Sequence, residues 1–250
     1  MVCTVQIYEK PELNKPVLIE GLPGIGFVAN IAALHIIQEL KAKLLGEIRS
    51  SSFQDFAITA GDGKARFPTS ELYYHKGRDN TERDLIILHG NTQALTTFGQ
   101  YELCGHILNI ARDLGCQYII TLGGLRREEK VSTPPKLYCA ASDTETLKEA
   151  LNLGAEIIEG QIFGIAGLLI GLSKLWNMRG FCLLAETPGF YPDAKAARGV
   201  LNAICKMLNL KVDVSRLEVA AETTREILES FGLITQQPQE KTREEPHWHI

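Results

Sequence analysis

Residues 19–37 read "IEGLPGIGFVANIAALHII". A β-like run meets three glycines and a proline, and an apolar helix follows. Free N–H groups at such a helix start can cradle a phosphate. The same glycines can instead let a helix pack close against a sheet. The spacing separates the two readings. Gly21, Gly24 and Gly26 follow a GxxGxG pattern, the reverse of the dinucleotide fingerprint GxGxxG, and Phe27 and Val28 stand where a Walker loop needs Lys-Ser/Thr. The helix expected over residues 25–40 has no basic residue before Lys41, and its polar residues are Asn30, His35, Gln38 and Glu39. A helix that apolar is buried on most sides. Gly21, Gly24 and Gly26 are therefore assigned to a structural turn and to packing, and no nucleotide or other cofactor is expected.

Outward from this stretch, strands and helices alternate. "VLIEGL" (17–22), "DLIILHG" (84–90), "YIITLGGL" (118–125), "KLYCAAS" (136–142) and "FCLLAETPG" (181–189) read as buried strands. Continuous apolar runs of this kind fit strands covered on both faces. Between them lie helical segments, one ending near Gly115, one capped by Ser142-Asp143, and a last one over roughly 213–231. Gly61-Asp62-Gly63 reads as a hairpin turn. Repeated βα units specify an α/β fold with a mostly parallel sheet flanked by helices. Residues 1–233 read as a single α/β domain. From residue 234, "ITQQPQEKTREEPHWHI" loses the composition of a core and is expected to be a flexible C-terminal tail.

Composition limits the function classes. The chain has 250 residues, 45% hydrophobic and 22% charged, with a net charge of −4. That balance argues against non-specific nucleic-acid binding. The opening "MVCTVQIYEKPELNK" lacks the basic and apolar regions of a signal peptide. The longest apolar run, residues 162–172, falls short of the ~18 residues that suggest a membrane span. The expectation is a cytoplasmic protein with no membrane or nucleic-acid partner. Its six cysteines, Cys3, Cys104, Cys116, Cys139, Cys182 and Cys205, include no CxxC pair, so neither zinc nor a disulfide framework is expected.

In α/β sheets ligands bind at the carboxyl ends of strands. Those ends carry "HGNTQ" (89–93), "GGLRREEK" (123–130) and "AETPGFY" (185–191). A catalytic site would draw on His89, Glu186 and Thr187, with Arg126 or Arg127 for an anion. The alternative is that His89 caps a strand and "RREEK" is a solvated loop. No Ser-His-Asp, paired-carboxylate or HExxH constellation appears at a telling spacing. A small-molecule enzyme handling nucleosides or phosphate is the second reading. A further feature concerns packing: Gly160, Gly164, Gly167 and Gly171 space small residues along an apolar segment. By analogy with membrane helices, such spacing admits a close helix crossing, within the chain or between subunits.

"GLPGIG", "FPTSELYY", "DLIILHGNTQ", "YIITLGGL", "GQIFGIAGLLIG" and "LLAETPGFYPDAKAA" occur in that order from residue 21 to 197. Together they resemble the proteasome assembly chaperone family, in the branch of chaperone 2 and its archaeal relatives. The resemblance implies a nucleoside phosphorylase-like α/β fold and an ATP-independent, non-catalytic activity. It also implies a homo-oligomer that binds proteasome α subunits or a paralogous assembly factor. Proteasome-binding partners often end in a hydrophobic residue, a tyrosine and any last residue. Here the last three are Trp248, His249 and Ile250, so the resemblance implies a protein-binding tail in which His249 departs from tyrosine. His247 and His249 alone are too few ligands to make a metal site.

Overall fold

The computed structural model describes residues 3–59, 63–79, 81–127 and 131–230. The chain begins with β1 (Cys3–Ile7) and β2 (Val17–Gly21), then passes through a 3-10 turn (Ile25–Phe27) into α1 (Val28–Leu40). β3 (Lys43–Ser50), β4 (Ile58–Thr59), β5 (Ala65–Arg66), β6 (Ser70–His75) and β7 (Leu85–Gly90) follow. Next come α2 (Thr97–Asp113), β8 (Tyr118–Arg126), β9 (Leu137–Ala141), α3 (Thr144–Leu151) and β10 (Glu156–Ile157). The chain continues through α4 (Ile165–Ser173) with a 3-10 extension (Lys174–Trp176), then β11 (Arg179–Thr187) and α5 (Ala194–Leu208). A 3-10 turn (Val214–Arg216) leads into α6 (Leu217–Ser230).

Among the described residues, nine strands form one sheet in the order β1-β3-β6-β7-β2-β8-β11-β9-β10, and β4 and β5 pair separately. The longer parallel ladders sit in the middle, and β10 adds a short parallel pair with β9 at one edge. β2 pairs in parallel with β7 and β8, and β8 with β11. On either side, β6 meets β7 and β9 meets β11 antiparallel, and β1, β3 and β6 are joined antiparallel as well. The architecture is therefore mixed α/β, with a parallel centre. β4 and β5 form the two arms of the hairpin expected around Gly61-Asp62-Gly63, although residues 61 and 62 lie outside the described residues.

Local sequence explains the elements. All six residues of β7 are buried, as its unbroken apolar run requires. α5 buries Ala196, Ala197, Val200, Leu201 and Ile204, a three-and-four spacing that makes one apolar stripe. Its N-cap Asp193 accepts from the amides of Lys195 and Ala196, and Asp143 caps α3 in a capping box with Thr146. α1 lacks a side-chain cap and enters instead through the left-handed residues Gly26 and Phe27.

Two cores lie on opposite faces of the sheet. One packs α1, α3, α5 and α6 over Val17, Ile19, Leu85, Ile87, Ile120 and Leu183. The other packs α2 and α4 over Leu18, Ile86, Leu88, Ile119, Cys182 and Leu184. Successive residues along each strand alternate between them. Among the described residues no helix is long and apolar enough to cross a membrane. All six cysteines are free, and Cys104, Cys139 and Cys182 are fully buried, where a thiol serves as a small hydrophobe.

Candidate functional site

The glycine loop that follows β2 is held from two directions. A Cβ on Gly21 would stand 2.2 Å from Ala33 Cβ, so the missing side chain is what lets α1 lie on β2. Gly26 has φ +63°, and a Cβ there would stand 2.7 Å from Thr187 Oγ1. Thr187 donates to Asp193 Oδ2 at 2.8 Å and accepts from the Gly189 amide at 3.1 Å. The Asp193 amide in turn donates to the Gly26 carbonyl at 2.9 Å. The turn after β2 and the exit loop of β11 are thus one interlocked junction. Gly24 differs, because a Cβ on it would meet nothing within 4 Å. Close packing in this loop belongs to Gly21 and Gly26, while Gly24 contributes only an extended backbone.

The strand-end residues that could form a catalytic site are held apart. Ile87 belongs to the α1-side core and Leu88 to the α2-side core, so alternation turns His89 toward α1. The same alternation turns Glu186, after Leu184 and Ala185, toward the α2 side. β7 and β11 are three strand spacings apart, roughly 14 Å. The sheet itself therefore stands between the two side chains. Burial lowers the pKa of His89 to about 4, and its Nε2 has no hydrogen-bond partner among the described residues. It sits in the protein as a neutral, packed ring.

Glu186 is occupied by its neighbours. It accepts from Tyr138 Oη at 3.0 Å, from the Ser132 amide at 3.2 Å and from the Lys136 amide at 3.4 Å, and Arg127 Nε lies 3.5 Å away. Burial alone would raise its pKa, but these donors outweigh burial and hold it below the ordinary carboxylate value. Arg127 also lies over the Tyr138 ring at 5.0 Å, and Arg126 over Phe190 at 4.6 Å. The arrangement fastens the 131–136 loop to the sheet. Residues 128–130 of the "RREEK" stretch lie outside the described residues.

Beside this junction is an open groove of 690 Å³, lined by Ser132, Thr133, Pro135, Phe190, Tyr191 and Lys195 among others. Its wall includes three prolines, Pro135, Pro188 and Pro192, and two aromatic residues, Phe190 and Tyr191. Neither His89 nor Glu186 lines it. Among the described residues no group of three or more His, Cys, Asp or Glu side chains could hold a metal ion.

Gly164, Gly167 and Gly171 have three different surroundings. Gly164, at φ +77°, is the N-cap of α4 and faces the Gln93 side chain. A Cβ on Gly167 would stand 2.2 Å from the Ile162 carbonyl oxygen, so this glycine packs on the segment leading into its own helix. Gly171 is exposed, and a Cβ on it would meet nothing within 4 Å. Trp248, His249 and Ile250 lie outside the described residues.

Sequence reasoning missed Glu20 and Asp193. Glu20 is fully buried at the carboxyl end of β2 and accepts from the Leu22 amide through one oxygen at 2.8 Å. Burial raises its pKa to about 8. The one available signal was a carboxylate inside the apolar run "VLIEGL". Asp193 could have been found as a helix cap in "YPDAKAA".

Comparison with known proteins places this geometry among relatives. A model of the PAC2 family matches residues 18–231. An uncharacterised protein of Methanocaldococcus jannaschii is 32% identical over 232 residues, covering 92% of this chain and 88% of the relative. The crystal structure of Pyrococcus furiosus PbaB, described as an archaeal proteasome activator, superposes with a TM-score of 0.82 at 37% identity. That match covers 92% of this chain and 99% of PbaB. P. furiosus PbaA, described as an archaeal homolog of proteasome-assembly chaperone, superposes with a TM-score of 0.73 at 27% identity, covering 92% and 98%.

Proposed function

The chain belongs to the PAC2 family, and from that premise we propose that it is an ATP-independent proteasome assembly chaperone-like protein. In this reading it is a cytoplasmic, homo-oligomeric scaffold that binds proteasome α subunits or a paralogous assembly factor. The observation that carries the reading is the shared fold with PbaB, at 37% identity over 92% of the chain. The strand-end geometry supports it from the other side. His89 and Glu186 face opposite sides of the sheet, and Glu186 is saturated by structural donors. A small-molecule enzyme would need convergent polar groups there.

Within this proposal the C-terminal residues Trp248, His249 and Ile250 are the docking element. Trp supplies a large, rigid anchor for the contact. Sixteen residues, 235–250, span up to roughly 50 Å when extended, at about 3.3 Å each. A pull-down of proteasome α subunits by the full chain, beside a chain ending at residue 247, tests the reading. Retention of α subunits by the full chain and their loss without the last three residues is expected. No retention by either protein would remove the proposal.

A further inference from the structure

The edge of the sheet opposite the strand-end loops carries a cavity of 640 Å³. Strand register fixes its frame. Val17 pairs with Leu85 on one side and Tyr118 on the other, and Tyr118 pairs with Arg179. The amino ends of β7, β2, β8 and β11 therefore stand in one row, three strand spacings or roughly 14 Å long. Arg83, Lys15, Gln117 and Arg179 sit at or just before those ends, one to each strand, and all four line the cavity. Buried Val17, Met178 and Leu208, with half-buried Tyr118 and Met207, make its apolar part.

Two of these cations are held in place and left without a counter-charge. The Asp84 carboxylate accepts from the Asn14 amide at 2.7 Å and from the Gly77 amide at 2.8 Å. Its backbone carbonyl accepts from the Val17 amide at 2.9 Å. The bonds to Asn14 and Val17 bracket Lys15, whose φ of +44° lies in the left-handed region that lysine seldom adopts. They fasten this segment to the backbone that follows Arg83. Among the described residues neither Lys15 nor Arg83 has an ion pair. The one carboxylate lining the cavity, Glu149, is occupied: it accepts from Tyr118 Oη, and from Arg179 Nη2 at 3.1 Å. Lys15, Arg83 and Arg179 thus stand against Glu149 alone, in a chain whose net charge is −4. A positive cavity on an acidic protein selects for anions.

We infer that this cavity binds a short acidic segment of a partner polypeptide, its carboxylates on Lys15 and Arg83 and an aliphatic side chain against Met178 and Leu208. Charge complementarity names the anion, and the row of strand ends names its form. A phosphate group is held by donors that converge on it, whereas here the cationic residues follow one another at strand spacing. An extended chain advances about 3.3 Å per residue, so four or five residues cover the row. The apolar residue meets methionines, which are unbranched and adapt to side chains of different shape. The site needs neither the C-terminal tail nor an α subunit, so it stands or falls apart from the proposed function.

Fluorescence anisotropy on the full chain tests this, with the peptide acetyl-Glu-Glu-Leu-Glu-Glu carrying a neutral dye and its Gln-Gln-Leu-Gln-Gln counterpart. The double variant Lys15→Asn, Arg83→Gln removes both unpaired charges. Asn tolerates a left-handed backbone and position 83 is exposed, so the melting temperature should hold. If the double variant melts early, Arg83→Gln alone carries the comparison. The expected result is saturable binding of the acidic peptide and none of the neutral one. Affinity should fall at least tenfold in the double variant and stay near the parent's in Arg83→Lys. No binding of the acidic peptide by the parent would overturn the inference, as would equal affinity of the parent and the charge-removing variants. Displacement by inorganic phosphate as readily as by unlabelled acidic peptide would assign the cavity to small anions and overturn the polypeptide.

Discussion

Thr187 stands over Gly26 so closely that a Cβ on the glycine would lie 2.7 Å from the threonine hydroxyl oxygen. The contact locks the turn after β2 to the exit loop of β11, and Asp193 closes the lock by capping α5 and accepting from Thr187. Gly26→Ala meets this clash and a φ of +63° at once. The expected loss is about 2–4 kcal/mol, from left-handed strain and overpacking together. Gly24→Ala, in open space and on extended backbone, should be neutral or stabilising by up to about 1 kcal/mol. Urea denaturation of the two variants distinguishes this packing role from one spread evenly over the loop.

The same loop is expected to bind no nucleotide. α1 begins without a side-chain cap or a basic residue, and the side of Gly26 is filled by Thr187. Calorimetry with ATP, NAD and inorganic phosphate should give no saturable heat. A micromolar isotherm abolished by Gly24→Val would contradict the packing assignment.

Within α4, Gly167 and Gly171 should respond oppositely to alanine. Gly167→Ala pushes a methyl group against the Ile162 carbonyl and should cost on the order of 1–3 kcal/mol. Gly171→Ala gains helix propensity with no clash, and should stabilise the monomeric fold by roughly 0.5–1 kcal/mol. Unfolding at protein concentrations that favour the monomer separates the two effects from association.

Glu20 and His89 predict the shape of stability against pH. Burial raises Glu20 from an ordinary value near 4.5 to about 8, so its contribution is full below pH 4.5 and is lost as pH rises toward 8. Burial lowers His89 from 6.5 to about 4, so its contribution is full above pH 6.5 and is lost as pH falls toward 4. The two slopes oppose each other between about pH 4.5 and 6.5. Between 6.5 and 8 Glu20 acts alone, and stability should fall by about 1.4 kcal/mol per pH unit at most. Glu20→Gln should flatten that interval. An equal slope in the parent and the variant would show that Glu20 is not the titrating group.

At the carboxyl terminus, His249→Tyr should strengthen retention of α subunits, and Trp248→Ala should weaken it at least tenfold. Binding titrations against purified α subunits read both changes. Equal affinity of Trp248→Ala and the parent would move the docking element elsewhere on the surface.

The sequence by itself determined the elements whose signals are local. The unbroken apolar run of β7, the three-and-four spacing of α5, the cap at Asp143 and the glycines before α1 depend on backbone dihedrals and side-chain periodicity within a few residues. Membership in an α/β class follows from their alternation. Only the tertiary structure decided which strands meet. β1 pairs with β3 at one edge, and antiparallel ladders flank a parallel centre, because strand partners are chosen between residues far apart in the chain. It also decided the fate of the polar residues on those strands. A carboxylate in "VLIEGL" and a histidine in "IILHG" look alike as strand-end chemistry. The pleat sends Glu20 beneath α2 and His89 beneath α1, and burial then sets what each can do. The surroundings of Gly167 and Gly171 belong to the same class. A glycine on a helix is visible in the sequence, but what stands opposite its missing side chain is a property of the packed whole.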